Sequence, residues 1–174
     1  AREMADDLEG MLALIASRPE AQRILVALDG VTDPHNLGAI LRSADAAGVL
    51  AAISPKDHGA PLNDVAVRVS AGGSDRVPYL RVPNLARALE RLQDEGYRVI
   101  GLDSNASASI FETDLRGPIV IVLGAEGSGL RRLTRDHCDA LIGIPMTGSV
   151  ESLNVSVSAG VVFYEAMRQR RLAR

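Results

Sequence analysis

Three stretches of the 174-residue chain carry the residues suited to chemistry. The first runs Asp29-Gly30-Val31-Thr32-Asp33-Pro34-His35-Asn36-Leu37-Gly38 and continues to Arg42. Asp33-Pro34 favours a turn, after which Asn36 can start a helix. Gly38 and Arg42 are four apart and share a helix face, so the glycine leaves room for a bulky group to approach the guanidinium. An ordinary turn with a solvated Arg42 is the alternative. The second stretch, Leu123-Gly124-Ala125-Glu126-Gly127-Ser128-Gly129-Leu130, lets a ligand lie close to its backbone. It has neither the glycine spacing of a dinucleotide fingerprint nor the Gly-Lys-Ser/Thr ending of a P-loop. Glu126 at its centre would repel a pyrophosphate. The loop therefore suits a ligand without phosphates, and one carrying positive charge.

The third stretch, Ile144-Pro145-Met146-Thr147-Gly148-Ser149-Val150-Glu151-Ser152-Leu153-Asn154-Val155-Ser156, mixes small polar side chains with isolated apolar ones. Such a loop can line a half-apolar pocket around an adenine and a methionine chain. The sulfonium and amino groups of S-adenosylmethionine also meet the charge requirement of the second loop. A polar loop with Ser152 as helix cap is the alternative. Other polar residues read as structural. His35 suits a turn, His58 and His137 lack partners at informative spacing, and Cys138 suits a small core position better than a nucleophile. Arg131, Arg132 and Arg135 suit either RNA phosphates or a solvated helix face.

The elements that must position these loops are short β-rich runs alternating with helical patterns, which predicts an α/β fold with a mostly parallel sheet flanked by helices. Strands are expected at Ile24–Leu28, Val49–Ile53, Val77–Val82, Tyr97–Leu102, Ile119–Leu123 and Ala140–Ile144. Helices are expected at Leu37–Ala47, ending at Gly48, and at Asp64–Ala71. A third follows Asn84 as N-cap and buries Leu85, Ala88, Leu89 and Leu92; Leu130–Cys138 is short and basic. The last, Asn154–Gln169, carries Val157, Val161, Tyr164 and Met167 near helical spacing. Each chemical loop then follows a strand, where open parallel sheets place their ligands.

Composition is that of a globular domain, with 47% apolar and 24% charged residues. No run of about 18 apolar residues suggests a membrane span. One cysteine and no Cys/His cluster of zinc spacing imply an intracellular, metal-free protein. The net charge of −3 sits poorly with a nucleic-acid partner, although all but one of the 19 basic residues are arginine, which suits bidentate phosphate recognition. Residues 1–22 are mixed and acidic, as expected of a linker or a short docking helix, leaving 23–174 as one domain.

Taken together and in order, the three loops resemble the three motifs of the SpoU branch of the knotted (SPOUT) RNA methyltransferases, over about Ile24 to Arg168. Arg131-Arg132-Leu133-Thr134 and His137-Cys138-Asp139 bring the likeness closer to the branch that modifies a guanosine ribose in the peptidyl-tRNA loop of 23S rRNA. The resemblance implies S-adenosylmethionine-dependent 2′-O-methylation, with S-adenosylhomocysteine as product and no metal. It implies cofactor contacts at Gly124, Ile144, Met146 and Leu153, and a reaction centre of Asn36, Arg42, Glu126, Ser152 and Asn154. It further implies a C-terminal deep trefoil knot, a cytoplasmic homodimer with the final helix in its interface, and a small RNA-binding domain before residue 1. A tRNA ribose methyltransferase and a non-catalytic RNA- or cofactor-binding module remain the alternatives.

Overall fold

The computed structural model describes residues 7–172, so the first six residues of the expected linker lie outside the described residues. The rest of that segment holds a helix, α1 (Leu8–Ile15), capped by the Asp7 carboxylate, which accepts from Gly10 N at 2.7 Å. Its Met11 and Ile15 are buried, and Glu9 pairs with Arg91, so this helix packs against the domain.

Six strands follow: β1 (Ile24–Asp29), β2 (Ala51–Pro55), β3 (Tyr79–Val82), β4 (Arg98–Leu102), β5 (Ile119–Gly124) and β6 (Ala140–Ile142). They form one parallel sheet in the order β3-β2-β1-β5-β4-β6. The α-helices between them are α2 (Pro34–Ala47), α3 (Asp64–Val69), α4 (Gly73–Arg76), α5 (Leu85–Asp94) and α6 (Arg132–Asp136), and α7 (Val155–Leu172) is the last element among the described residues. Alternate side chains of the central strands point to opposite faces. Val26, Leu28, Ile121 and Leu123 pack under α2 and α7, through Leu37, Ile40, Leu41, Val162 and Phe163. Leu25, Ala27, Val120 and Val122 pack under α1 and α5, through Met11, Leu85, Leu89 and Leu92. Both faces of β1 and β5 are thus covered, which is why their sequences are apolar throughout.

The predicted parallel α/β architecture is what the chain adopts, and two of the helix signals fall where they were expected. Asn84 caps α5 by accepting from Arg87 N at 3.1 Å, and Gly48 ends α2 in the left-handed region at φ 83°. Three readings need correction. The helix of the first loop starts at Pro34, not Asn36, because Asp33 is the cap and accepts from His35 N at 2.8 Å. The space beside Gly38 is not open to a substrate: a Cβ there would lie 2.6 Å from Ala66 O and 2.7 Å from Val69 Cβ, so α3 fills it. In α7 the core side is Val155, Ala159, Val162, Phe163 and Ala166, whereas Val157 and Tyr164 are 51% and 46% exposed. That helix is apolar on more than one side, so periodicity alone could not choose its core face.

The Gly38 contact is directly testable. Gly38→Val forces two helices apart, and overpacking of this kind costs about 2 kcal/mol. For a domain of this size that lowers Tm by about 4–8 °C. An unchanged melting curve would mean that α3 yields at no cost.

Candidate active site

The chain leaves β1 toward β2 on one side and leaves β5 toward β6, beyond β4, on the other, so the connections part between β1 and β5. Ligands of open parallel sheets bind at such a point, beyond the carboxyl ends of the strands. Asp29 and Gly124, the last residues of these two strands, lie side by side in the sheet.

Asp29 is fully buried, and an unpaired carboxylate there would be costly. It accepts from the Arg131 backbone N at 2.8 Å and from Arg131 Nε at 2.6 Å. These bonds fasten the far end of the loop that leaves β5. The loop is a tight hairpin in which Ala125 and Gly129 exchange backbone bonds of 3.2 and 2.8 Å. It folds back so closely that a Cβ on Gly124 would lie 2.3 Å from the Gly129 carbonyl carbon. The close approach expected of a ligand at Gly124 is therefore partly taken by the loop itself. Glu126 stands near the hairpin tip.

The third loop runs from β6 to α7. It starts beside residues 108–110, with Gly143 N donating to Ala108 O at 2.8 Å and Ile110 N donating to Gly143 O at 3.0 Å. It ends at Asn154, whose Oδ1 accepts from Ser156 N at 2.9 Å and so caps α7. Ser152 is exposed and makes no hydrogen bond among the described residues, so the cap is Asn154. The other end of the Asn154 amide donates to Glu126 Oε1 at 2.6 Å and to Asn36 Oδ1 at 3.4 Å. Val155 N adds a bond to Glu126 Oε1 at 3.3 Å. One side chain thus joins the first, second and third loops.

Beside this junction lies a cavity of about 240 Å³. Gly124, Ile144, Met146 and Leu153 all line it, as do Glu126 and Ser152. Its apolar wall also includes Leu102, Leu123 and Val155, and its charged groups are Asp103, Glu126 and Glu151 against Arg135. Three carboxylates to one guanidinium disfavour an anion and favour a ligand with cationic and apolar parts. Asn36 and Asn154 stand at the junction rather than in the cavity lining. Arg42 lies nearly two turns along α2 from Asn36, exposed and unpaired among the described residues. The fold therefore brings Asn36, Glu126 and Asn154 into contact and leaves Arg42 apart from them.

Sequence reading missed two features. Asp103 and Arg135 form an ion pair at 2.6 Å on the cavity wall, and Asp103 also accepts from Asn105 N at 2.9 Å. Asp103-Ser104-Asn105 follows β4 just as the three loops follow their strands, and that position was the available signal. The clamp at Asp29 was hidden because Arg131 lies 102 residues away. The remaining histidines and the cysteine are placed as structural groups. His35 and His58 are exposed. His137 bridges Leu133 O and Glu90 Oε1, both at 2.8 Å, and these bonds raise its pKa above the usual value. Burial pushes the Cys138 thiol up to about 12, which leaves it without nucleophilic character near neutrality. Among the described residues no three His, Cys, Asp or Glu side chains group as metal ligands, and no helix is long and apolar enough to cross a membrane.

Asn154→Ala removes a helix cap and the principal donor to Glu126, an expected loss of about 2 kcal/mol by chemical denaturation. Ser152→Ala should change stability by less than about 0.5 kcal/mol. Equal effects of the two would contradict the junction as drawn.

The SpoU rRNA Methylase family matches residues 23–164. The chain is 54% identical over 162 residues to a 23S rRNA (guanosine-2′-O-)-methyltransferase RlmB of Pseudomonas aeruginosa, covering 93% of this chain and 65% of that protein. The corresponding protein of Pseudomonas syringae pv. tomato is 52% identical over 166 residues, covering 95% of this chain and 66% of that protein. The chain thus spans about 65% of the length of these curated relatives. A solved structure of the SpoU methyltransferase AviRb from Streptomyces viridochromogenes, in complex with the cofactor AdoMet, superposes with a TM-score of 0.85 at 31% identity, covering 98% of this chain and 66% of that one. The A. aeolicus TrmH/SpoU tRNA modifying enzyme gives 0.80 at 30% identity, covering 95% and 83%. The chain belongs to the SpoU rRNA methylase family.

Proposed function

We propose that this SpoU-family chain is the catalytic domain of an S-adenosylmethionine-dependent methyltransferase that modifies the ribose 2′-hydroxyl of a guanosine in 23S rRNA. The observation that carries the reading is the Asn154 junction, which assembles all three loops beside an acidic, half-apolar cavity at the β1–β5 switch point. The names of relatives above 50% identity support the choice of rRNA guanosine. A tRNA target is the second reading, supported by the tRNA modifying enzyme at 30% identity. A non-catalytic module is disfavoured because Asn36, Arg42, Glu126, Ser152 and Asn154 are all present.

The cavity fits S-adenosylmethionine by its donor set. Leu153, Ile144 and Met146 offer apolar contacts for the adenine, the backbone around Gly124 offers hydrogen bonds, and the carboxylates suit the cationic groups. When bound, this cofactor supplies a methyl group activated by its sulfonium. The chain's own part is alignment, since an in-line transfer demands close positioning of the reacting atoms. In this reading Arg42 grips the phosphate beside the target ribose and lines up the hydroxyl. It does not act as a base, because a guanidinium stays protonated in proteins. The hydroxyl proton leaves late, to phosphate or water. Asn36 and Glu126, which make no bond to Arg42, orient the substrate nucleotide, and Ser152 and Asn154 position ribose or cofactor.

Further parts of the proposal concern assembly. Residues 23–174 form the catalytic domain, preceded in the whole protein by an RNA-binding domain, and act in the cytoplasm without a metal. The C-terminal segment threads a trefoil knot. Supporting this, residues 103–118 are held at one end by Gly143 and at the other by α7, through Gln169 to Thr113 O and Arg170 to Leu115 O and Gly117 O. The chain works as a homodimer through α7, whose exposed Val157 and Tyr164 offer an apolar face.

Arg42→Lys tests the proposed chemistry. Lysine keeps the charge but not the two-pronged geometry, so turnover on 23S rRNA fragments should fall about 100-fold with cofactor affinity unchanged. Turnover close to that of the parent chain would rule out a bidentate clamp.

A further inference from the structure

We propose that a second cavity, across the Ala125–Arg131 loop from the first, reads one guanine base of the substrate RNA, with Arg131 as the reading side chain. The proposal rests on the RNA-modifying role argued above and names a contact that role does not specify. Leu130 lines the first cavity and Arg131 the second, so a single loop forms part of both walls. The second cavity measures about 220 Å³, with Pro55, Asp57, His58, Pro83, Asn84 and Leu133 among its lining residues.

Arg131 is unlike the other two arginines of its segment. Arg135 is paired with Asp103 at the first cavity, and Arg132 is exposed without a partner among the described residues. Arg131 is held from behind, because buried Asp29 takes its Nε at 2.6 Å and its backbone N at 2.8 Å. Its two terminal nitrogens have no partner among the described residues, and the side chain is 44% exposed. A guanidinium fixed at Nε has already lost most of its rotamer freedom, so little more is lost when a ligand binds. What it presents is a planar pair of donors, the pattern that matches O6 and N7 of guanine.

Three observations favour a base over a phosphate. Asp29 and Asp57 set two carboxylates against one guanidinium, so a phosphodiester would add charge to an already negative site. Pro55, Pro83 and Leu133 give apolar surface for the face of a ring, and Leu133 is 58% exposed although apolar. The space suits one base and not a duplex, which agrees with the way proteins read RNA sequence through unstacked single-stranded bases.

The test is equilibrium binding of this chain to a short fluorescein-labelled, guanosine-containing RNA. Copies carry 7-deazaguanosine, which lacks the N7 acceptor, at each guanosine in turn. One position should weaken binding about tenfold in the parent chain. Arg131→Lys keeps the charge beside Asp29 but loses the fork, so it should bind every copy equally, at the weakened level. Leu133→Glu, an exposed wall change, should weaken RNA binding while leaving S-adenosylmethionine affinity intact. If no position is sensitive to 7-deazaguanosine, or if a chain that binds S-adenosylmethionine takes up no RNA, the base pocket is wrong and the methyltransferase reading stands. Arg131→Lys indistinguishable from the parent chain on all copies would assign the site to phosphate and also overturn it. A chain binding neither ligand overturns both proposals.

Discussion

The side-chain amide of Asn154 is the point on which the arrangement of this molecule turns. An amide has an acceptor at one end and donors at the other, and here both ends are used. The oxygen caps the first turn of α7, while the nitrogen reaches Glu126 at 2.6 Å and Asn36 at 3.4 Å. The start of α7, the hairpin after β5 and the start of α2 are thereby brought to one place. They come from distant parts of the sequence, and no strand pairing alone would fix their loops against one another. The hairpin must itself be rigid for this to work. Asp29 supplies that rigidity from beneath, because a fully buried carboxylate is tolerable only while Arg131 stays in place.

The chemistry that follows is one of placement. The parallel sheet gathers its loops at one edge, and the reversal between β1 and β5 opens the crevice there. The cavity beside the junction is lined by aliphatic side chains, glycine backbone and an excess of carboxylates. That combination turns away phosphates and accepts a ligand that is apolar in one part and cationic in another. Arg42 stands outside the bonded network, exposed and unpaired among the described residues, as the proposed grip on a phosphate needs. The division between a fixed polar junction and a free arginine is what a positioning mechanism requires.

How much of this was readable beforehand depended on whether the signal was local. Asn84 and Gly48 announced helix ends because capping and the left-handed conformation are decided within a few residues. The buried central strands were legible because both their faces are covered. Gly38 misled because an absent side chain looks the same in sequence whether a ligand or a neighbouring helix occupies the space. In α7 the valines at 155, 157, 161 and 162 supply apolar residues on several sides, and only packing against α2 and β5 selects among them. Asp29 and Arg131 were each visible inside a motif, but their pairing is tertiary. Asp103, by contrast, lay at the end of a correctly placed strand and could have been found by position alone.

The proposed chemistry depends on the cavity beside the Asn154 junction being the binding site for S-adenosylmethionine. Calorimetric titration of the chain with that compound, beside a Leu153→Arg variant, tests it most directly. Leu153 is a partly buried wall residue, and arginine there both fills the space and adds positive charge where a cation must sit. Saturable binding by the parent chain and its loss in the variant are the expected results. Equal binding by both would place the cofactor elsewhere, and no binding by the parent chain, with or without RNA, would remove the basis for a methyltransferase.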